Sequence, residues 1–309
     1  MTTARHTERW ALGAAALAGI QVGACIAGSR WLLSDIGPLS LTFLRYAVAL
    51  ATLVPLLAAV GGTRDGLSRL SVGDAIRVAL LGIVQFGVLI ALLNFGLKHV
   101  DAGLGALLFA TFPLMTLVIA TAAGHERFDA PLAAGVLLSI VGVALALGVR
   151  PPAMSGAGFV LGAVCVLVAA LCGAVCSVLW RPLLHRHATL PLGTLAMTAA
   201  VVALAPAAAA EGLFTQARAL TLAQWVTVIA IGLSSGVGYW VWLWVLKHTA
   251  PTKATTFLAL SPVTAALIGM FALGEPISAG LVVGVVCILF GLVLTASRRV
   301  SSDSAPYSP

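Results

Sequence analysis

Ten apolar runs, each long enough to cross a bilayer as a helix, set the limits on what this chain can become. They fall at 10–33, 39–60, 75–97, 102–122, 130–149, 156–180, 190–210, 222–246, 252–273 and 279–297. A helix needs about 20 apolar residues to cross the hydrocarbon core. In lipid it also satisfies its own backbone N–H and C=O groups, which an isolated strand or loop cannot do. Of the 309 residues, 61% are hydrophobic and 9% charged, whereas soluble domains are about 25% charged. No water-soluble fold of this length hides so much apolar surface. The predicted fold class is an all-α membrane protein with ten transmembrane helices. The stretch "VGAC" at 22–25 resembles a lipoprotein cleavage box, but the run around it is long enough to span. It is read as the first helix rather than a leader.

Charge sits mostly in short connections such as "GGTRDGLSRLSVGD" (61–74) and "GHERFD" (124–129). With ten spans, twelve of the 17 basic residues fall on the side of the N-terminus: Arg5, Arg9, Arg64, Arg69, Arg77, Arg127, Arg181, Arg186, Lys247, Lys253, Arg298 and Arg299. Arg30, Lys98, Arg150 and Arg218 fall on the other, and Arg45 lies within the second span. The positive-inside rule then puts both termini in the cytoplasm of a multi-pass inner (plasma) membrane protein. The net charge of +7 is read as this topology signal and not as a nucleic-acid footprint. Cys25, Cys165, Cys172, Cys176 and Cys287 lie inside apolar runs. They are read as small packing residues, with no disulfide framework, metal or cofactor expected.

The chain repeats itself. Shifted by 149 residues, 98–147 matches 247–296 at thirteen of fifty positions, where roughly five would arise by accident in so biased a composition. The rare residues carry the weight: Lys98/Lys247, His99/His248, Pro113/Pro262 and Glu126/Glu275 all recur in register. Five helices per repeat is an odd number, so the halves cross in opposite senses. The predicted organisation is two inverted five-helix repeats, 1–150 (helices 1–5) and 151–297 (helices 6–10), with a cytoplasmic tail at 298–309. Inverted repeats place a solute site near the midplane between the halves.

The doubled "KH…P…E…G…G" pattern is similar to the EamA domain of the drug/metabolite transporter superfamily. It is carried by "LKHVDAGLGALLFATFPLMTLVIATAAGHERFDAPLAAGVLLSIVGVAL" and "LKHTAPTKATTFLALSPVTAALIGMFALGEPISAGLVVGVVCILFGLVL". "LTFLRYAVALATLVP" (41–55) resembles the second helix of that domain. The resemblance implies two tandem domains in ten helices, and a secondary transporter of small organic solutes in the inner membrane. Members include exporters of amino acids and other metabolites.

Within the spans, polar and aromatic residues are the substrate-path candidates. A proline frees the carbonyl four residues earlier, so Pro113 and Pro262 are expected to kink their helices for packing or to face a cavity. Arg45 either snorkels to the interface, makes an interhelix contact or binds an anionic solute group. Gln21, Gln85, Asn94, Ser234 and Ser235 bond between helices or line a polar cavity. Tyr239 and Trp242, three apart, and Trp180 belong to an interfacial belt or face the solute. Lys253 is a candidate for coupling. Glu126 and Glu275, each just before a helix N-terminus, are capping pins or gates. The pairs Gly19/Gly23, Gly158/Gly162, Gly232/Gly236 and Gly280/Gly284 suit close helix packing.

No Asp or Glu falls at a span centre, all six histidines sit at span ends or in loops, and no nucleophile has a base nearby. A membrane enzyme acting on lipid or isoprenoid substrates would need such groups. A scaffold would not need an inverted repeat. The expected partners are the lipid bilayer and a small-molecule solute, an amino acid or metabolite.

Overall fold

A computed structural model describes residues 2–59, 70–100, 105, 108–124, 130–147, 157–273 and seven positions between 282 and 291. Its helices are α1 (Thr2–Leu32), α2 (Pro38–Ala59), α3 (Val72–His99), α4 (Phe112–Ala122), α5 (Ala130–Leu147), α6 (Ala157–Arg186), α7 (Thr189–Glu211) and α8 (Leu222–His248). The last, α9, starts as Pro251–Thr256, tightens to a 3-10 turn at Phe257–Ala259 and continues as Leu260–Leu273. A two-turn helix, Leu213–Ala219, joins α7 to α8. Among the described residues, six helices are long and apolar enough to cross a membrane: those of α1, α2, α3, α6, α7 and α8. The tenth predicted span, 279–297, lies mostly outside the described residues.

Local chemistry explains the ends. Ser71 accepts from the backbone N–H of Asp74 and starts α3. Thr221 and Gln224 form a reciprocal capping box at the start of α8, which satisfies two orphan donors. Gly212, at φ +93°, ends α7 in the left-handed conformation that glycine adopts without strain. Within α3, residues Ile83–Val88 are π-helical, a wide turn that occurs frequently at functional sites.

The proline expectation is corrected here. Pro113 is in the first turn of α4, after a turn at 110–111, and Pro262 is the third residue of the Leu260–Leu273 segment, after the 3-10 turn. Pro113 interrupts no regular helix and sits where the missing N–H has no intrahelical partner to lose. Pro262 lies within α9, directly after the 3-10 turn that breaks its regular bonding. Pro55, Pro182 and Pro206 also lie inside helices.

The bundle interleaves the two halves of the chain. α1 packs against α8 and α9, α6 against α3 and α4, and α2 and α7 against each other. α2 also packs against α8, and α7 against α3. Glycine makes the closest approaches: a Cβ at Gly82 would collide with the backbone of Ala196, and one at Gly23 with that of Ser261. Gly19, Gly162, Gly232 and Gly236 are similarly crowded, while Gly158 is in ordinary contact. Gly280 lies outside the described residues. The outer surface carries large apolar side chains, including Leu17, Val118, Val202, Phe214 and Leu222. Exposure on that scale fits a lipid solvent and not water.

Candidate functional site: a cavity between the halves

Near the middle of the bundle, six helices surround a cavity of about 110 Å³. α1 contributes Gln21 and Cys25, α2 Arg45 and Tyr46, α3 Gln85 and Phe86, and α8 Ser235, Tyr239 and Trp242. Phe112 of α4 and Leu258 of α9 complete the wall. The volume is of the order of the ~150 Å³ cavity that admits benzene.

Arg45 governs the electrostatics. It is 8% exposed and does not snorkel, contrary to one expectation. Its Nε donates to Ser235 Oγ at 2.8 Å, and Ser235 Oγ donates to the Ile231 carbonyl at 2.6 Å. Its guanidinium also lies 5.5 Å from the centre of the Tyr46 ring. Ser235 can hold it only because Gly232 and Gly236 let α8 approach α2 closely. Among the described residues no carboxylate pairs with Arg45, since every ion pair converges on Asp74.

Aromatic rings form much of the wall. Tyr46 and Phe86 have centroids 4.9 Å apart, and Phe86 and Tyr239 are edge to face at 4.3 Å. Among the described residues, the buried Tyr239 hydroxyl has no hydrogen-bond partner, and neither has the amide of Gln85, a lining residue in the π-helical turn. Gln21 Nε2 donates to Cys25 Sγ at 3.1 Å and to Ser234 Oγ at 3.2 Å.

The structure thus brings together Gln21, Arg45, Gln85, Ser235, Tyr239 and Trp242 and leaves the other candidates elsewhere. Asn94 is an interhelix bond: its Nδ2 donates to Thr42 Oγ1 at 3.1 Å. Trp180 is fully buried behind Tyr239, with ring centroids 6.4 Å apart. Lys253, Pro113 and Pro262 are buried and are not among the lining residues. Glu126 and Glu275 lie outside the described residues. Sequence reasoning missed Tyr46, Phe86, Cys25 and Phe112. Only Tyr46 carried a signal, as the neighbour of an intramembrane arginine.

It also missed the polar contacts that close each end of the bundle. At one end Glu211 accepts from the backbone N–H groups of Ser40 (2.6 Å) and Leu39 (3.2 Å), capping α2. There too Gln216 Oε1 accepts from Gly37 N–H at 2.8 Å, and Gln224 Nε2 donates to Asp35 at 2.8 Å. At the other end Asp74 meets His187 Nε2 at 3.2 Å, Arg186 at 3.4 Å and Arg77 at 3.6 Å. The pattern Ser71-x-x-Asp74 was the available signal for Asp74, since it marks a helix start.

The family model described as "EamA-like transporter family" matches the chain twice, over residues 9–148 and 160–297. The chain belongs to the EamA-like transporter family. It is a multi-pass membrane protein and a transporter. A Streptantibioticus cattleyicolor protein named "Probable terminal-alkyne amino-acid exporter" is 30% identical over 226 residues, 72% of this chain and 74% of the relative. "Uncharacterized transporter YyaM" of Bacillus subtilis is 25% identical over 285 residues, 90% of each chain. A solved crystal structure shares the fold at a TM-score of 0.75 and 20% identity, covering 94% of this chain and 99% of that one.

Proposed function

We propose that this EamA-like transporter is a secondary transporter of the inner membrane that exports amino acids or related small metabolites by alternating access. The observation that carries the reading is the cavity. It is walled by helices from both halves of the sequence, with polar contacts between the halves at each end. Alternating access needs such a site, with one end opening while the other stays shut. The packing supports an inverted pair of repeats, 1–150 and 151–297. Every contact of α1 with α8 or α9 has a counterpart, five helices on, in the contacts of α6 with α3 or α4. The α2–α7 contact is its own counterpart. With both termini cytoplasmic, the Glu211 end faces outward and the Asp74 end inward. The relative named as an amino-acid exporter supports that class of cargo.

Among the described residues no Asp, Glu or His lines the cavity, so the reading has no buried carboxylate there to carry a proton. In vesicles holding the purified protein, an imposed pH gradient should leave uptake nearly unchanged. Concentrative uptake driven by that gradient would remove this part of the reading. For the function itself, the medium of cells overexpressing the wild type is compared with that of cells carrying Gly238→Leu. A Cβ at Gly238 already meets Gln21 Oε1 at 2.9 Å, so leucine fills the cavity. The wild type should enrich an amino acid or metabolite outside and the variant should not. Equal media from equally expressed proteins would end the proposal.

A further inference from the structure

The cavity carries a charge that its own walls do not answer. Arg45 presents a guanidinium with five N–H donors, of which Ser235 takes one. Its terminal nitrogens have no hydrogen-bond partner among the described residues, and no acidic side chain lines the space. A buried cation without a counter-charge is costly, and an anion entering the cavity removes that cost. Separately, the Tyr239 side chain, 8% exposed, lines the same cavity, and its hydroxyl is buried with no hydrogen-bond partner among the described residues. The rings of Tyr46, Phe86 and Trp242 line the same cavity, with Leu89 and Leu93.

We propose that this cavity selects compact solutes with one carboxylate, held on Arg45, and a neutral hydrogen-bonding group across an apolar body, met by the Tyr239 hydroxyl. This rests on reading the cavity as the solute site. The selection follows from charge. A second carboxylate would be buried among aromatic faces, which are the negative sides of the rings. An amine without a carboxylate would sit beside an arginine with no acid to receive it. An α-amino acid is admitted, because its ammonium travels with its own carboxylate.

Five-carbon probes separate these terms. Calorimetric titration of the full chain in detergent would use pentanoate, norvaline, 5-hydroxypentanoate, glutarate and pentylamine. Pentanoate and norvaline should bind comparably. Glutarate and pentylamine should bind at least about tenfold more weakly, the scale of one charge-assisted hydrogen bond. 5-Hydroxypentanoate should bind more tightly than pentanoate, and in Tyr239→Phe the two should bind equally. Arg45→Gln should abolish the preference for pentanoate over pentylamine, and Arg45→Lys should keep part of it. Should Arg45→Gln fail to fold, the wild-type series still decides. Pentylamine binding as tightly as pentanoate overturns the proposal, as does a folded Arg45→Gln protein that keeps the preference. Flux is read separately in vesicles. Selective binding without flux upholds the proposal and sinks the transport cycle. Flux of amines and dicarboxylates at the rate of monocarboxylates does the reverse.

Discussion

The two ends of the bundle are tied in different ways. At the Glu211 end, a carboxylate caps the backbone of α2, and Gln216 and Gln224 add bonds from neutral amides. At the Asp74 end, one carboxylate gathers two arginines that are more than half exposed and one histidine. The first arrangement satisfies buried donors at a helix N-terminus, where the dipole also favours a negative charge. The second joins a hydrogen bond with His187 to ion pairs with arginines close to solvent, which add little to stability. The Glu211 end is therefore the stiffer closure and the Asp74 end the one more easily undone. Between them, the glycine contacts hold the halves together and set the distance across which the ends act.

The strongest way to break this comparison is to remove the middle. Gly82→Val would push its side chain into the Ala196 backbone and force α3 from α7. Overpacking of this kind costs about 1–3 kcal/mol or more. The folded fraction after detergent extraction should collapse, and a normal yield and melting curve would show that the helices separate freely. Next comes Glu211→Ala, which leaves the Ser40 and Leu39 donors unanswered at a cost of about 1–3 kcal/mol. Its thermal midpoint should fall clearly, and Glu211→Gln should recover part of the loss.

Asp74→Asn should shift the midpoint much less, because ion pairs to exposed arginines add little to stability. Raising the salt concentration should mimic it in the wild type, because screening acts on exposed charges, but should not mimic Glu211→Ala. A salt response of equal size at both ends would erase the distinction drawn here. The finest test reads access and not stability. In a background where Cys25 is the remaining cysteine, Asp74→Asn should speed labelling of Cys25, a cavity residue, by an impermeant thiol reagent from the Asp74 side. Glu211→Gln should do so from the opposite side. Acceleration from the same side in both variants would mean that the two closures are not separate gates.

How much of this was legible beforehand differs between backbone and side chains. The starts and lengths of α2, α7 and α8 follow the apolar runs to within a few residues, because lipid leaves the backbone no alternative to a helix. The Lys-His, proline and glutamate repeats led to the family, and the double match agrees with them. Pro113 starts a helix instead of kinking one, whereas Pro262 lies beside the 3-10 turn inside α9. Sequence spacing shows that a proline lies within an apolar run, not that the run contains a helix start.

By itself, then, the sequence determined that this is a helical membrane protein of the EamA-like family, where most of its spans fall, and that an arginine and several amides sit inside them. The tertiary structure decided which of those residues share a space. In a soluble protein a polar face and an apolar face tell a helix which way to turn. These helices are apolar nearly all round, so their sequences carry little of that information. Arg45 turns to Ser235 instead of the interface because Gly232 and Gly236 bring α8 within reach. Asn94 pairs with Thr42, and Trp180 is sealed behind Tyr239. Each choice depends on a partner more than fifty residues away, and packing alone sets it.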